Sequence, residues 1–277
     1  MGDIVDSLDF RSASFSKTSK ALYALATKLF PICRSITGEG FRASLEILKK
    51  EFENTGGGGG NNPSLKVADI GAGTGNLSIM LLERGCEVVS VEPNDAMREI
   101  GIERTQGQNI KWVRATGIDS TLKSDDFDWV TFGSSFNVMD RNEALEEAHR
   151  LLKKGGYFSC MWNHRDLNDP MQKIAEDTIM EFVPNYTRGT RREDQRPIIE
   201  SRKDLFDNII YLEEDFYFHQ SIENYINAWK SVKNPYWDLE QAEGVELFEK
   251  IASKIRERLP QEFDIKYTTR CWSAKKI

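Results

Sequence analysis

The stretch Val67-Ala68-Asp69-Ile70-Gly71-Ala72-Gly73-Thr74-Gly75-Asn76-Leu77 decides the fold of this chain. Its apolar start predicts a buried strand over 65–70, and the alternating glycines predict a tight turn into a helix that begins at about Asn76. Such a turn brings the main chain and a helix N-terminus close to a ligand. A second apolar strand, over 87–91, ends at Glu92, whose carboxylate is well placed to take both hydroxyls of a ribose. The two features together predict a nucleoside cofactor.

The spacing of the glycines restricts the kind of nucleoside. A dinucleotide fingerprint reads G-x-G-x-x-G, whereas here Asn76 occupies the place of the third glycine. No Gly-Lys-Ser/Thr follows, which excludes a phosphate-binding loop of the nucleotide triphosphatase type. Asp69 stands two residues before the first glycine, and a carboxylate there suits a cationic ligand better than a pyrophosphate.

Four segments resemble the class I S-adenosylmethionine-dependent methyltransferases, and most of all those that act on small molecules. They are VADIGAGTGNLS (67–78), VVSVEPNDAMREIG (88–101), FDWVTFGSSFNVMDR (127–141) and HRLLKKGGYFSCMWN (149–163), in the order and at the spacing of that family. The resemblance implies S-adenosylmethionine as cofactor. It also implies an α/β fold, a Rossmann-like seven-stranded, mostly parallel sheet with helices on both faces and an antiparallel last strand. The alternative is a Rossmann-like domain that has lost its ligand.

The resemblance also implies which residues hold the cofactor. Asp69 would bind the methionine ammonium or orient the glycine loop, Glu92 would bind the ribose, and Met97 would cover the adenine or belong to the core. Many relatives carry Ala-Glu at 117–118, so only backbone contacts to adenine are expected there. The predicted set is Asp69, Gly71, Ala72, Gly73, Gly75, Glu92, Pro93, Met97, Thr116, Gly117, Ile118, Gly133 and Ser134.

Three residues are candidates for acting on the methyl acceptor. Asn137 aligns with a position where relatives often carry a histidine, so it can hold a hydroxyl or amide but cannot act as a base. His164 and Asp166 are predicted to follow the fifth strand at the carboxyl edge of the sheet, and either is a candidate base for O-methylation. The alternatives are a solvated His164 and an Asp166 that orients His164 or binds the substrate.

Outside these motifs the chain divides into three parts. We expect a helical leader over 1–55, a glycine-rich linker over 56–63 and the methyltransferase domain over 64–277, in which 165–260 includes a helical cap. Strands are predicted at 65–70, 87–91, 110–114, 127–132, 156–162, 209–219 and 265–274, and 185–200 is predicted as a loop. Residues 21–52 weakly resemble the start of an aminopeptidase-like family, which hints at a sugar pathway. The leader would cap the sheet or pair two subunits as a homodimer.

Composition limits the partners. The net charge is −7 and no basic stripe is interleaved with aromatics, which argues against nucleic acid. Four scattered cysteines without a C-x-x-C pattern support neither a metal site nor disulfides. No apolar run spans a bilayer and no signal peptide is recognisable, so no membrane partner and a cytoplasmic location are expected.

The function predicted is methyl transfer to a small-molecule acceptor, with a sugar or sugar-linked metabolite and O- or N-methylation as candidates. Two alternatives stay open. One is an S-adenosylmethionine-binding interaction protein without catalysis, and the other is a protein methyltransferase.

Overall fold

The computed structural model describes residues 45–46, 64–187, 193–230 and 234–277. The strands are β1 Lys66–Ile70, β2 Glu87–Val91, β3 Ile110–Val113, β4 Phe127–Gly133, β5 Leu152–Arg165, β6 Phe206–Ser221 and β7 Glu262–Lys276. The helices are α1 Asn76–Glu83, α2 Asp95–Arg104, α3 Arg141–Leu151, α4 Pro170–Phe182, α5 Arg196–Glu200, α6 Ile222–Lys230 and α7 Ala242–Arg258, with a 3-10 turn at Phe136–Val138. None of the helices in these ranges has the length and apolar character needed to cross a bilayer.

The strands form one seven-stranded sheet in the order β3-β2-β1-β4-β5-β7-β6. Strands β1 to β5 pair in parallel, and β7 runs antiparallel to both β5 and β6. The predicted Rossmann-like sheet is therefore confirmed, including its antiparallel last strand. Because the first strands are parallel, the carboxyl ends of β1, β2 and β4 meet at one edge, where ligands bind in open α/β sheets.

Two apolar clusters cover the two faces of the sheet, because the central strands are buried on both sides. The α1-face cluster comprises Val67, Leu77, Met80, Leu81, Cys86, Val88, Trp129, Tyr157, Met161 and Cys271, together with Leu45. The α3-face cluster includes Ala68, Ile70, Val130, Phe132, Phe136, Ala148, Leu151, Phe158 and Trp272.

The fifth strand is longer than predicted at both ends. We expected Lys153-Lys154-Gly155-Gly156 to end the preceding helix, but α3 ends at Leu151 and these residues belong to β5. The register between β4 and β5 shifts at this point, from Phe127↔Leu152 to Trp129↔Tyr157. Beyond Met161, which pairs with the last residue of β4, residues 162–165 pair only with β7.

The extended ends of β5, β6 and β7 carry a second core at the carboxyl edge of the sheet. Helices α4, α6 and α7 pack there against the β7 segment 263–267. The Arg165 guanidinium, at the end of β5, lies 4.4 Å from the ring centroid of Trp229 and 5.2 Å from that of Tyr225. We call this unit the cap; it corresponds to the predicted region 165–260.

Two other predictions meet different outcomes. The segment 185–200 is not all loop, because α5 forms at Arg196–Glu200 and buries Ile199 in the α3-face cluster. A single helical turn is too short to leave a periodic pattern in the sequence. The leader 1–55 and the linker 56–63 lie outside the described residues, except for Leu45 and Glu46.

Candidate functional site

The glycine loop after β1 uses most of its amides within the protein. The N–H groups of Gly71 and Ala72 donate to the Val91 carbonyl at 2.9 and 3.0 Å, and that of Gly75 donates to the Ala72 carbonyl at 2.9 Å. The Gly73 N–H donates to Glu92 Oε2 at 2.8 Å. These four N–H groups therefore bond within the protein and are not directed at a ligand. A phosphate-binding loop keeps such groups free for the anion, so this loop suits a ligand without phosphate.

Two of the loop glycines serve different purposes. Gly71 has φ +68, and a Cβ there would stand 2.5 Å from Ser135 Cβ, so the turn and the packing both require glycine. Gly73 has φ +58, and the nearest atom to a Cβ there would be Met97 Cε at 3.9 Å. A Cβ at Gly73 would therefore make only an ordinary contact with Met97, so at this position the positive φ, and not the packing, favours glycine.

Glu92, the residue after β2, holds the glycine loop through its carboxylate. It is 6% exposed, and its other oxygen, Oε1, accepts the Asn94 N–H at 2.8 Å. Burial raises the pKa of this carboxyl, and the two backbone N–H donors from Asn94 and Gly73 oppose that rise. Pro93 is exposed beside it, and Asn94 caps α2 through the Met97 N–H.

Asp69 lies fully buried below the loop. Its Oδ2 accepts from Ser78 Oγ at 2.6 Å, and its Oδ1 accepts from Thr131 Oγ1 at 3.3 Å. Burial raises the pKa of the Asp69 carboxyl to about 6, against these hydrogen bonds, and the nearby charge of Glu92 adds to the rise. The observed bonds are those of the loop-orienting role, while contact with the methionine ammonium stays a prediction.

The β3–β4 and β4–α3 loops form the rest of the predicted cofactor site. Gly117 leaves no room for a side chain, since a Cβ there would stand 2.7 Å from Met139 Cε. Beside it, Ile118 is exposed and the Thr116 hydroxyl accepts the Asp119 N–H at 3.2 Å. Ser134, which follows Gly133 at the end of β4, has φ 68. A left-handed backbone at a non-glycine residue is uncommon and often marks a functional site.

The three candidate acceptor residues lie in different surroundings. Asn137 lies in the 3-10 turn after β4, and its Oδ1 is buried with no hydrogen-bond partner among the described residues. His164 does not follow β5 as predicted but lies within it, opposite Thr268, with its ring 5.9 Å from that of Trp162.

Asp166 is engaged in structural contacts. Its Oδ1 accepts the Asn168 N–H at 2.8 Å, and its Oδ2 lies 3.1 Å from Lys266 Nζ. The Asn168 N–H and then the Lys266 ammonium lower the pKa of the Asp166 carboxyl. A base for proton transfer near neutral pH needs a pKa that moves the other way. The geometry therefore does not support the prediction that Asp166 is a base.

Sequence reasoning missed residues that hold the loop from outside. Arg104 Nη1 donates to the Thr74 carbonyl and to Asn76 Oδ1, both at 2.8 Å. Ser135 Oγ donates to the Ile70 carbonyl. The only signal for Ser78 was a polar residue among the apolar positions of α1, and Arg104 had none because its partners lie far away in sequence.

Comparisons with known proteins agree with this geometry. Residues 68–160 match the model of a methyltransferase domain. The chain is 33% identical over 101 residues to an uncharacterized methyltransferase of Mycobacterium tuberculosis, covering 36% of this chain and 41% of that protein. It is 29% identical over 127 residues to the ubiquinone/menaquinone biosynthesis C-methyltransferase of Proteus mirabilis, covering 43% and 51%. The chain thus spans about half or less of the length of these curated relatives.

Solved structures share the fold at low identity. The YcgJ protein of Bacillus subtilis superposes with a TM-score of 0.51 at 14% identity, covering 84% of this chain and 99% of that one. A phosphoethanolamine N-methyltransferase of Haemonchus contortus, in complex with S-adenosyl-L-methionine, gives 0.51 at 16%, covering 94% and 57%. The fold of this chain is therefore the α/β methyltransferase fold.

The amino-terminal part matches a different family. Residues 23–74 match a domain of unknown function (DUF4910). The expected resemblance of 21–52 to an aminopeptidase-like family is not supported, because the matching family has no described function.

Proposed function

We propose that this chain is an S-adenosylmethionine-dependent methyltransferase that acts on a small molecule. One observation carries the proposal: the buried carboxylate of Glu92, which follows β2, accepts the N–H of Gly73 in the glycine loop after β1. The N–H groups of Gly71, Ala72, Gly73 and Gly75 are therefore not available to a phosphate, and two buried acids, Asp69 and Glu92, bond to or lie below the loop. The guanidinium of Arg104 bonds the loop at Thr74 and Asn76. The two acids suit a ligand with a ribose diol and positive charge, and S-adenosylmethionine has both.

When bound, S-adenosylmethionine supplies a methyl group on a positively charged sulfur. The sulfur is the leaving group when a nucleophile attacks the methyl carbon from the opposite side. The residues of this chain contribute position and electrostatics. Glu92, oriented by two backbone N–H groups, accepts the hydroxyls of the ribose, and Asp69 adds negative charge below the loop. Holding two reactants in line is worth about 7–11 kcal/mol of the barrier, so little covalent help from the protein is needed.

For the acceptor side we propose Asn137 and His164. The buried Asn137 Oδ1 has no donor among the described residues, so it would accept a hydrogen bond from an acceptor hydroxyl or amine. His164, near the carboxyl end of β5, is the remaining candidate for receiving a proton in O-methylation. A pH–rate profile of His164→Asn with the acceptor tests this role, and an unchanged profile would exclude it.

The proposed acceptor is a small metabolite with hydroxyl or amine groups, and a sugar or sugar-linked compound is one such class. The methyltransferase match ends at residue 160, before the cap begins. The quinone named for the Proteus mirabilis relative therefore does not transfer to this chain. A panel of sugar, amine and quinol acceptors with labelled cofactor tests the class. Binding of cofactor without label transfer to any acceptor would favour the non-catalytic alternative.

Calorimetry with S-adenosylhomocysteine tests the cofactor site directly. We expect Glu92→Ala to weaken binding by about 1–3 kcal/mol, because the ribose hydroxyls lose a charged acceptor. Glu99→Ala, an exposed residue of α2, is the matched control and should leave the affinity unchanged. If the unaltered chain does not bind the nucleoside, the proposed function is wrong.

A further inference from the structure

The start of α1 has no capping side chain of its own. Its N-cap residue is Gly75, with φ +83, and the helix begins without a side-chain cap hydrogen bond. A larger residue is disfavoured at this position, because the φ is positive and a Cβ there would stand 3.1 Å from Trp112 Cζ2. Glycine also loses more conformational freedom on folding than any other residue. The chain that runs into α1 is therefore best fixed by groups from outside the loop.

Arg104, the last residue of α2, makes such a contact. Its Nη1 donates to the Thr74 carbonyl at 2.8 Å, to Thr74 Oγ1 at 3.2 Å and to Asn76 Oδ1 at 2.8 Å. Thr74 and Asn76 are the two neighbours of Gly75, so one nitrogen bonds the chain on both sides of the glycine. All three acceptors are neutral, and within the part of the chain that the structure describes no carboxylate forms an ion pair with Arg104. The guanidinium therefore serves the loop and not a charge pair.

The same helix is bonded to the other segment of the proposed cofactor site. Arg98 Nη1 donates to the Glu92 carbonyl at 3.1 Å, and the N–H of Asn94, the N-cap residue of α2, donates to Glu92 Oε1 at 2.8 Å. Helix α2 thus contacts Glu92 near its start and the glycine loop at its end. The relative position of these two segments is therefore set by α2.

Trp112 of β3 fixes the end of α2 that carries Arg104. A Cβ at Gly101 would stand 2.2 Å from Trp112 Cη2, so the indole ring lies directly against this turn of the helix. The indole N–H donates to Thr105 Oγ1 at 3.0 Å, and Thr105 is the residue that follows Arg104. A Cβ at Gly75 would stand 3.8 Å from Gly101 Cα, so helix and loop are also close to each other. Arg104 therefore reaches the loop from a fixed base.

We propose that Arg104 is a positioning residue for the nucleoside: it holds residues 74–76 in the conformation that the ligand binds, and it does not itself contact the ligand. The inference rests on the proposed function, because it assigns the loop to S-adenosylmethionine. A loop that already has the binding conformation avoids the entropy loss of being ordered on binding. When only a fraction of the molecules has that conformation, the apparent affinity falls by the same fraction.

Calorimetry with S-adenosylhomocysteine tests the role, at a temperature where all variants are folded. We expect Arg104→Ala to raise the Kd about five- to tenfold, with a less favourable binding entropy, as follows if about 10–20% of the molecules keep the binding conformation. Arg104→Lys should recover part of the affinity, because all three hydrogen bonds come from one nitrogen and an ammonium can replace some of them. An unchanged Kd in Arg104→Ala would overturn the proposal. If Arg104→Ala does not fold, an unchanged Kd in Arg104→Lys does so.

Arg150→Ala is the matched control. Arg150 Nη1 donates to the Leu122 carbonyl and to Ser124 Oγ, both at 2.8 Å, so it holds another loop through the same kinds of contact. That loop leads into the start of β4, at the edge of the sheet opposite the carboxyl ends. Arg150→Ala should lower the melting temperature and leave the Kd unchanged. An equal rise of the Kd in both variants would show that Arg104 acts only through general stability, and the proposal would be wrong.

Amide hydrogen exchange of the ligand-free chain provides a test that needs no binding. The N–H groups of Gly73 and Gly75 bond to Glu92 Oε2 and to the Ala72 carbonyl, and Arg104→Ala should speed their exchange while leaving the amides of β4 unchanged. Equal exchange of the loop amides with and without Arg104 would contradict the positioning role.

The two proposals fail in different ways. If the unaltered chain does not bind S-adenosylhomocysteine, the proposed function is wrong and the role of Arg104 falls with it. If the unaltered chain binds and Arg104→Ala binds equally well, only the role of Arg104 is wrong.

Discussion

Some residues of the glycine loop are required by the fold, and others are placed to contact a ligand. A Cβ at Gly71 would clash with Ser135, whereas a Cβ at Gly73 would make only an ordinary contact with Met97 at 3.9 Å. The Glu92 carboxylate accepts a hydrogen bond from the Gly73 N–H and so joins the end of β2 to the glycine loop. A substitution in this loop can therefore damage the fold or the site, according to its position.

Alanine at the two glycines should separate these effects. Gly71→Ala meets both a positive φ and the Ser135 side chain, so we expect it to cost about 2–4 kcal/mol of unfolding free energy. Gly73→Ala meets only the positive φ and should cost about 1–2 kcal/mol, while weakening nucleoside binding at least tenfold. Urea unfolding and calorimetry on both variants check this. Equal stability losses would contradict the assignment.

The buried Asp69 carboxyl makes stability depend on pH in an unusual direction. Burial raises its pKa to about 6 from an ordinary 3.8, so between these values the folded protein keeps a proton that the unfolded chain has lost. Its contribution to stability is therefore present at low pH, falls as pH rises through this window, and is fully lost above pH 6.

Asp69→Asn should remove this penalty. At pH 7.5 we expect the variant to be more stable by about 1–3 kcal/mol, and at pH 4 to be roughly equal to the unaltered chain. Urea unfolding at the two pH values measures the difference. A variant that is less stable at pH 7.5 would show that the bonds from Ser78 and Thr131 need the charged form.

At this scale the sequence predicted the residues better than their contacts. Glu92 was recognisable because a carboxylate ended an apolar strand. The hydrogen bonds from Ser78 and Thr131 to Asp69 join elements that are distant in sequence, and no local pattern records them. The contact between Asp166 and Lys266 was not predicted for the same reason, because Lys266 lies in the last strand.

At the scale of elements, two helices begin at aspartates whose side chains accept backbone N–H groups. The two aspartates differ in the contacts they make beyond their own helix. Asp140 caps α3 by accepting the N–H groups of Asn142 and Glu143, and it is exposed. Asp169 caps α4 by accepting from Met171 and Gln172, and its second oxygen accepts the Lys266 N–H at 3.0 Å. The Asp169 side chain therefore also ties the start of α4 to β7.

Removing the two caps should have different costs. Asp140→Ala should cost about 1 kcal/mol, the usual value for an exposed helix cap. Asp169→Ala should cost about 2–4 kcal/mol, because it also leaves the Lys266 N–H without its partner in a partly buried place. Thermal unfolding of both variants tests the comparison, and equal shifts would mean that the contact with β7 contributes nothing.

The elements themselves were well predicted where one periodic pattern applied. β2 was predicted with its observed ends, and β1, β3 and β4 were predicted to within one residue. β5 was not, because Gly155-Gly156 reads as a helix stop, while in the structure it lies where the β4–β5 register shifts. The length of β5 beyond β4 depends on pairing with β7, which lies about a hundred residues later in the chain.

At the scale of the whole molecule, two cores share one sheet. The clusters on the α1 and α3 faces surround the first strands, and the cap core sits at the far ends of the last three. The cofactor loop lies at the same edge of the sheet as the cap. Ligand binding at this edge should therefore be visible in the stability of the entire chain.

Cofactor binding should weaken in acid. Burial raises the pKa of Asp69 to about 6, so below this pH Asp69 gains a proton and the site loses negative charge that a cationic ligand needs. Burial also raises the pKa of Glu92. We expect the dissociation constant of S-adenosylmethionine to rise about fivefold between pH 6 and pH 5. Calorimetry measures it, and the Asp69→Asn variant should show a smaller dependence. If the affinity does not change between pH 5 and pH 8, neither carboxylate takes part in recognising the charge of the ligand.

The unbroken course of β5 and β7 from the central core into the cap has a mechanical consequence. A lid that swings needs a hinge, meaning a short stretch where few bonds cross, but here a continuous ladder crosses the boundary from Met161 to Arg165. The cap should therefore keep one orientation throughout turnover. Under the proposed function, the acceptor would therefore enter by movement of side chains and loops and not by a swing of the whole cap.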